Sequence, residues 1–394
     1  MQKLSRSAYR LQHKLNPLFP ELKSFKTNRS LKKSSFYKKH GAEFERIANG
    51  IEYSNIHHSG SAADRIRVVA WNIERGIQSD GIINLVRSHN ELRDTDIFLF
   101  TETDIGMGRS GNRNVPAEIA EGLKMNYCYS NSFLVLAKGD EGEQDHEAEN
   151  TLSLHGTAIL SRYPIKAVDN PILPSMRDYM SSSEQRLGAR RGLICSIEVG
   201  SRVLDVAAAH LELKTSSLQR AKQLAAMLKP MLTSGSDIQL FGGDLNTHTY
   251  NLKNKLNLLA SFLYKVLYVG VPETIVQYMQ PDRYFERPVF DVFRNYGFDI
   301  ERFNNRRFGT LYYNLGEAAA SIKTRKWAPE FIHNWLKEIL KPYGGEVPFR
   351  LDWLAGRGFE SEDTIVKAIG IEKPEWENQR LSDHDPVMVD IRFV

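Results

Sequence analysis

The sequence predicts an α/β layered sandwich, and three observations predict it. Short apolar runs rich in β-branched residues recur from Arg65 onward, stretches with helical spacing lie between them, and polar residues capable of chemistry follow several runs directly. Buried strands need runs of that kind, and strands interleaved with helices build layered α/β sheets.

The strand-like runs are Ile66–Trp71, Ile97–Phe100, Ala158–Leu160, Leu193–Ile197, Val203–Ala209, Ile238–Phe241 and Val387–Ile391. Between them, Gly81–His89 and Ser217–Leu232 read as helices. The second places Leu218, Ala221, Leu224, Ala225 and Leu228 at the spacing of one helical face. The acidic stretch Gly139–Asn150 reads as an exposed loop. Tyr250–Phe349 is an irregular, helical insertion in which Leu252–Val269 is apolar enough for a helix packed on the core. No internal repeat of solenoid or propeller period is visible.

With 394 residues, 41% of them hydrophobic and 25% charged, the chain has the composition of an ordinary globular protein rather than a disordered one. The net charge of +4 fits a phosphorylated or polyanionic substrate without requiring one. The two cysteines, Cys128 and Cys195, lack zinc or disulfide-framework spacing and read as buried thiols. Met1–Gly41 has no apolar core of the kind a secretory signal carries, and no apolar run is long enough to span a bilayer. An intracellular, cytoplasmic protein without a transmembrane segment is therefore expected.

Residues 1–64 form a basic N-terminal extension ahead of a catalytic domain at 65–394. Its first 40 residues hold eleven Lys or Arg against the single acid Glu21. It reads as partly helical or disordered: a nucleic-acid arm, a transit segment or, as the simplest reading, a solvated tail.

Polar residues placed at strand ends are where an α/β scaffold presents side chains to a cleft. Six such clusters occur: Trp71-Asn72-Ile73-Glu74, Thr101-Glu102-Thr103-Asp104, Ala209-His210-Leu211-Glu212, Gly242-Gly243-Asp244-Leu245-Asn246, Arg350-Leu351-Asp352-Trp353 and Ser382-Asp383-His384-Asp385. An acid directly behind an apolar strand costs desolvation unless a cation offsets it, and a hard divalent metal does that through carboxylate and amide oxygens. Glycines before Asp244 permit a tight turn, and an extended segment would set Asp244 and Asn246 on one face. Taken singly, Glu102 reads as a loop-edge carboxylate and His210 as a core histidine. Glu74 and Asp104 read equally as support for the site or as surface acids.

Together with GTAILSRYPI at Gly156–Ile165, these motifs give the sequence a resemblance, over about residues 66–394, to the endonuclease/exonuclease/phosphatase superfamily. The resemblance implies a four-layer α/β sandwich, two mixed β-sheets face to face with helices outside. It implies phosphate-ester hydrolysis with Mg²⁺, or Mn²⁺ as its substitute. Glu102 would be the main metal ligand, with Asn72 and Asp383 near the metal. Asp244 would orient or deprotonate the attacking water, and Asn246 would hold that water or the phosphate. His384, oriented by Asp352, would contact the phosphoryl oxygen or move a proton, and His210 would be a second histidine at the phosphate or leaving group. Arg190 and Arg191 would grip the substrate phosphate, or form a solvated charge pair.

The sequence lacks the Trp-Cys-Asp-Arg signature of the 5-phosphatase branch at Arg350–Trp353, and has His210 where abasic-site endonucleases carry a Tyr-bearing segment. A nuclease acting on nucleic acid is the favoured expectation. The alternatives are a sphingomyelinase-like phospholipid or small-molecule phosphodiesterase, with peripheral membrane contact at Leu252–Val269, and a scaffold without catalysis.

Overall fold

Two mixed sheets lie face to face in the computed structural model, which describes residues 1–57, 64–139, 147–248, 264–314, 345–360 and 364–393 and the single positions 334, 338 and 341. The nine-stranded sheet runs Thr364–Gly370, Val387–Phe393, Arg65–Arg75, Ile97–Ile105, Leu154–Ser161, Asn126–Val135, Ile51–Ser54 and Ala8–Tyr9, with Arg186–Gly188 beside Asn126–Val135. The six-stranded sheet runs Gln2–Lys3, Ile165–Asp169, Leu193–Val199, Arg202–Ala208, Ile238–Asp244 and Asp352–Arg357. Each holds one parallel pair near its middle, Arg65–Arg75 with Ile97–Ile105 and Arg202–Ala208 with Ile238–Asp244.

The period-2 alternation of strand side chains sorts these residues into layers. Val68, Ala70, Leu99 and Ile159 meet Val206, Ala208, Leu240 and Leu354 between the sheets. Their sequence neighbours Val69, Trp71, Phe98 and Phe100 face outward, under the helices Ser79–Ser88 and Val115–Leu123. On the other side Ala207, Phe241 and Trp353 lie under Ser217–Leu232 and Arg287–Asn295. The result is helix, sheet, sheet, helix: the four layers the family resemblance implies.

Helix Ser217–Leu232 departs from its predicted face. Leu224 and Leu228 are buried with Met227 and Met231, whereas Leu218 is 65% exposed. The helix is rotated because three polar side chains find partners beneath it. Gln219 and Gln223 donate to the Pro174 carbonyl (2.8 and 3.0 Å), and buried Arg220 pairs with buried Glu286.

The basic N-terminal segment is not a solvated tail. Leu22, Leu31, Phe36, Phe44 and Ile47, from the helices Phe19–Ser24, Asn28–Lys33 and Ser35–Ala48, join the core on the outer face of the nine-stranded sheet. Gln2–Lys3 and Ala8–Tyr9 add edge strands to the two different sheets. The charge-rich composition hides a sparse set of apolar residues, and within Ser35–Ala48 Phe36, Phe44 and Ile47 still fall on one side of the helix.

Strand Asn126–Val135 has no apolar run to announce it, yet all ten residues are buried. Its asparagines are satisfied internally: Asn126 donates to the carbonyls of His57 and Tyr163, and Asn131 to that of Ile47. Within the insertion the structure shows helices Val271–Met279 and Arg287–Asn295 and the paired strands Leu311–Asn314 and Glu346–Phe349. Most of the predicted helix Leu252–Val269 and of the acidic loop Gly139–Asn150 lies outside the described residues. Among the described residues no helix is long and apolar enough to cross a membrane.

Candidate active site

Both parallel pairs end at the same edge of the sandwich, and there the strands do not stop where their apolar runs stop. Arg65–Arg75 and Ile97–Ile105 continue through Asn72 and Glu102, with the ladder slipping register between Asn72 and Arg75 and between Phe100 and Thr103. Such irregularities re-aim side chains at sheet edges. Glu102 (φ +54°), Glu74 (φ +45°) and Arg75 (φ +64°) sit in the left-handed region, which non-glycine residues occupy at a cost that clusters at functional sites. Glu102 is thereby turned from the sheet face into a cleft of about 350 Å³.

The second sheet supplies the opposite wall. Gly242 is where the sheets touch: a Cβ there would meet Ala70, Leu99 and Leu354 within 2.8 Å. Gly243 has φ +147°, and its Cβ would fall 2.1 Å from the Ala209 carbonyl oxygen. These glycines serve close approach within a continuing strand rather than a turn. Asp244 ends that strand, and Asn246 (φ +50°) returns to it, donating its backbone N–H to Asp244 Oδ1 (2.7 Å) and its amide to the Leu211 carbonyl (2.9 Å). A side-chain-closed turn, not strand alternation, brings the two together.

Across the sheets, Asn72 Nδ2 lies 3.2 Å from Asp244 Oδ2 and 3.3 Å from Glu102 Oε1. Its Oδ1 accepts from the Glu74 N–H, so binding a metal through oxygen would require the amide to flip. His210 bridges the same carboxylates, Nε2 3.4 Å from Asp244 and Nδ1 3.7 Å from Glu102. His384 Nδ1 is 2.7 Å from Asp352 Oδ2, and its Nε2 is 3.9 Å from Asp244 Oδ2. The loop carrying His384 is pinned to the first sheet. Ser382 Oγ donates to the Asn72 carbonyl, Trp71 Nε1 to that of His384, and the Asp383 N–H to Glu74. Asp383 is exposed at the rim of the cleft.

Arg190 lines the cleft and donates to the His210 carbonyl at 3.0 Å. Arg191 does not line it. Its guanidinium donates to the Asn170 carbonyl (2.7 Å) and to Asn49, because adjacent residues of an extended segment point to opposite sides.

Two further features of the site are not singled out by the sequence motifs: Arg75, 3.3 Å from Glu102, and a second aspartate–histidine pair. His155 faces the cleft with Nδ1 2.7 Å from Asp104, whose carboxylate also takes two hydrogen bonds from Arg109 (2.7 and 3.0 Å). Arg109 continues to Glu184, which Arg186 also contacts. Glycine 156, where a Cβ would lie 2.0 Å from the Ser130 carbonyl oxygen, was the available signal that the backbone beside His155 is tightly placed.

The electrostatics follow from burial and neighbours. Burial pushes the Asp244 carboxyl above its ordinary value and nearby Asp352 adds to this, against the opposing pull of His210 and His384. Burial and Arg190 push His210 down to about 4. For Glu102 burial acts upward but is outweighed by Arg75 and the surrounding imidazoles, which hold it well below the carboxylate range. Burial would lower His384, yet Asp352, Asp383 and Asp244 hold it well above the ordinary histidine value. Glu74 is pushed up to about 7 by burial and by Asp383. Hard oxygen donors from Glu102, Asp244 and Asp383 suit a hard dication. Asp244, Asp352 and His384 also each place one ligand-type atom within 4.8 Å of the others, although Asp352 is already engaged by His384.

This edge, with its carboxylates and imidazoles converging from both sheets, has the make-up of a phosphate-ester hydrolase site. The chain belongs to the endonuclease/exonuclease/phosphatase family, whose model matches residues 69–312, more than half of it; family members hydrolyse phosphate esters and generally use divalent metals. No curated protein gives a match. Among solved structures it is similar to an endonuclease/exonuclease/phosphatase from Beutenbergia cavernae (16% identity, 84% of this chain and 72% of that one, TM-score 0.48). It is also similar to beta toxin from Staphylococcus aureus (14%, 82% and 99%, TM-score 0.43) and to the human Nocturnin catalytic domain (14%, 89% and 98%, TM-score 0.41).

Proposed function

We propose that this chain is a Mg²⁺-dependent phosphodiesterase acting on nucleic acid. The observation that carries the reading is the meeting of Glu102, His210, Asp244, Asn246 and the Asp352–His384 pair in one cleft. In-line displacement at phosphorus needs an aligned nucleophile, neutralised equatorial oxygens and relief of charge on the leaving oxygen. Glu102, with Asp383 and Asn72 beside it, would hold the metal, which when bound supplies Lewis-acid stabilisation of phosphoryl charge.

The remaining work falls to side chains. Asp244 accepts a hydrogen bond from the attacking water, and Asn246, fixed by its turn, holds that water or a phosphoryl oxygen. His384, kept cationic by Asp352, donates from Nε2 to a phosphoryl oxygen. His210, kept neutral by burial and Arg190 against the pull of Asp244 and Glu102, contacts the phosphate together with Arg190. Nucleic acid is the substrate class this reading commits to, because the five cations spread along the cleft, Arg75, Arg177, Arg186, Arg190 and Lys214, could serve several phosphates of one chain, where a phosphodiester headgroup offers one.

The test is hydrolysis of bis-p-nitrophenyl phosphate and of a single-stranded oligonucleotide by the whole chain, with Mg²⁺ and with EDTA, against His384→Ala. Activity abolished by EDTA and by the substitution is expected. Equal rates for both proteins, or rates untouched by EDTA, would remove the reading.

A further inference from the structure

Between Leu22 and Ala42 the chain carries seven Lys or Arg and no acid. All seven, from Lys23 to Lys39, are exposed. They are fixed in place, since Leu22, Leu31 and Phe36 anchor their helices in the core. One of them, Lys32, has a carboxylate in reach, Glu45 at 3.6 Å across the surface.

These helices do not sit just anywhere on the sandwich. Asn28 donates its backbone N–H and its amide to the two oxygens of Asp178 (2.7 and 2.8 Å). Gln185 donates to the carbonyls of Lys23 and Phe25 (3.1 and 3.0 Å). The segment they grip, between Arg177 and Arg190, is the one that lines the cleft with Arg177, Arg186 and Arg190. One side of that segment therefore faces the reacting groups, and the other is seamed to the basic helices.

We propose that the surface of Lys23–Lys39 is a nucleic-acid backbone track that continues the cleft and holds the strand beyond the ester being cut. The inference rests on the phosphodiesterase reading and extends it. Seven cations on anchored helices, with no acid among them, match the charge of a phosphodiester chain, and the arginines of the wall continue into the cleft. Binding along such a track releases counterions, so its contribution falls steeply with salt.

The experiment uses the whole chain and the triple variant Lys26→Gln/Arg29→Gln/Lys33→Gln, with Lys38→Gln/Lys39→Gln as a second variant should the first not fold. Binding of a labelled single strand of about 20 nucleotides is followed by anisotropy across a salt series, and its hydrolysis is compared with that of bis-p-nitrophenyl phosphate, which is too short to reach the helices. The triple variant is expected to lower the slope of log affinity against log salt by about 2, at roughly 0.7 per phosphate contact. It should raise KM for the long strand about tenfold while kcat and the rate on the short ester stay within twofold.

An unchanged slope and KM would overturn the track. So would loss of binding to vesicles containing phosphatidylserine with strand binding intact, which would assign the face to a membrane. Failure of the wild type to hydrolyse either substrate would sink the phosphodiesterase reading alone, because the anisotropy series still reads the track.

Discussion

Two aspartate–histidine pairs face the same cleft, Asp352–His384 and Asp104–His155, each closed by a 2.7 Å hydrogen bond between buried partners. They differ in what else holds the carboxylate. Asp352 and His384 lie near Asp244, and no guanidinium among the described residues pairs with Asp352. Asp104 is gripped by Arg109, and Arg186 lies close behind. His384 is accordingly driven well above the ordinary histidine value. His155 is driven below it by burial, with Arg109 and Arg186 offsetting the pull of Asp104. The same hydrogen bond thus produces a cationic imidazole on one wall and a neutral one on the other. An imidazole's charge state is set by the whole shell around its partner, not by the partner alone.

The comparison can be broken most directly by removing each imidazole. His384→Gln should lower kcat by about 10²–10⁴-fold, the range of a positioned proton-transfer or phosphate-contacting group. His155→Gln should cost about tenfold or less. Steady-state kinetics on one diester checks both, and equal losses would erase the functional distinction between the pairs.

Stability should reverse the ranking. Asp104→Asn leaves buried Arg109 without its bidentate partner and should destabilise the fold by about 3 kcal/mol. Asp352→Asn keeps a neutral hydrogen-bond partner for His384 and should cost about 1–2 kcal/mol. Urea denaturation of the two variants decides the order.

The smallest effects lie in the pH dependence of stability. Although burial acts upward, Arg109 and His155 hold the Asp104 carboxyl below its ordinary 3.8. Its stabilisation is therefore complete above about pH 4 and is lost as the pH falls through the lower folded-state value. His384 is raised above 6.5, so its contribution is complete below that pH and is lost as the pH rises through the higher folded-state value. Melting curves should show Asp104→Asn flattening the acid limb only and His384→Gln the alkaline limb only. Loss of both limbs in one variant would mean that the pairs titrate as a unit.

Much of this molecule was legible in its residues. The strands around Ile66–Trp71, Ile97–Phe100 and Ile238–Phe241 announced themselves because strands covered on both faces need apolar side chains throughout. Glu102, Asp244, Asp352 and His384 stood out as polar residues set directly against such runs. Strand Asn126–Val135 did not, because buried asparagines look like a loop until the carbonyls they serve are known. Arg191 could not be told from Arg190, since a direction, not a residue type, separates them.

Local chemistry, then, was written into the chain: which segments must be buried, and which acids and imidazoles could serve a phosphate. Tertiary structure alone decided which partners meet. Asp104 and His155 are 51 positions apart, and Asn28 reaches Asp178 across 150. Bulges that swing Glu102 inward, and the seam that lays a basic helical surface along the cleft wall, arise from register and packing between distant strands. Those are properties of the whole sandwich, because a side chain's direction is set by the neighbours its backbone pairs with.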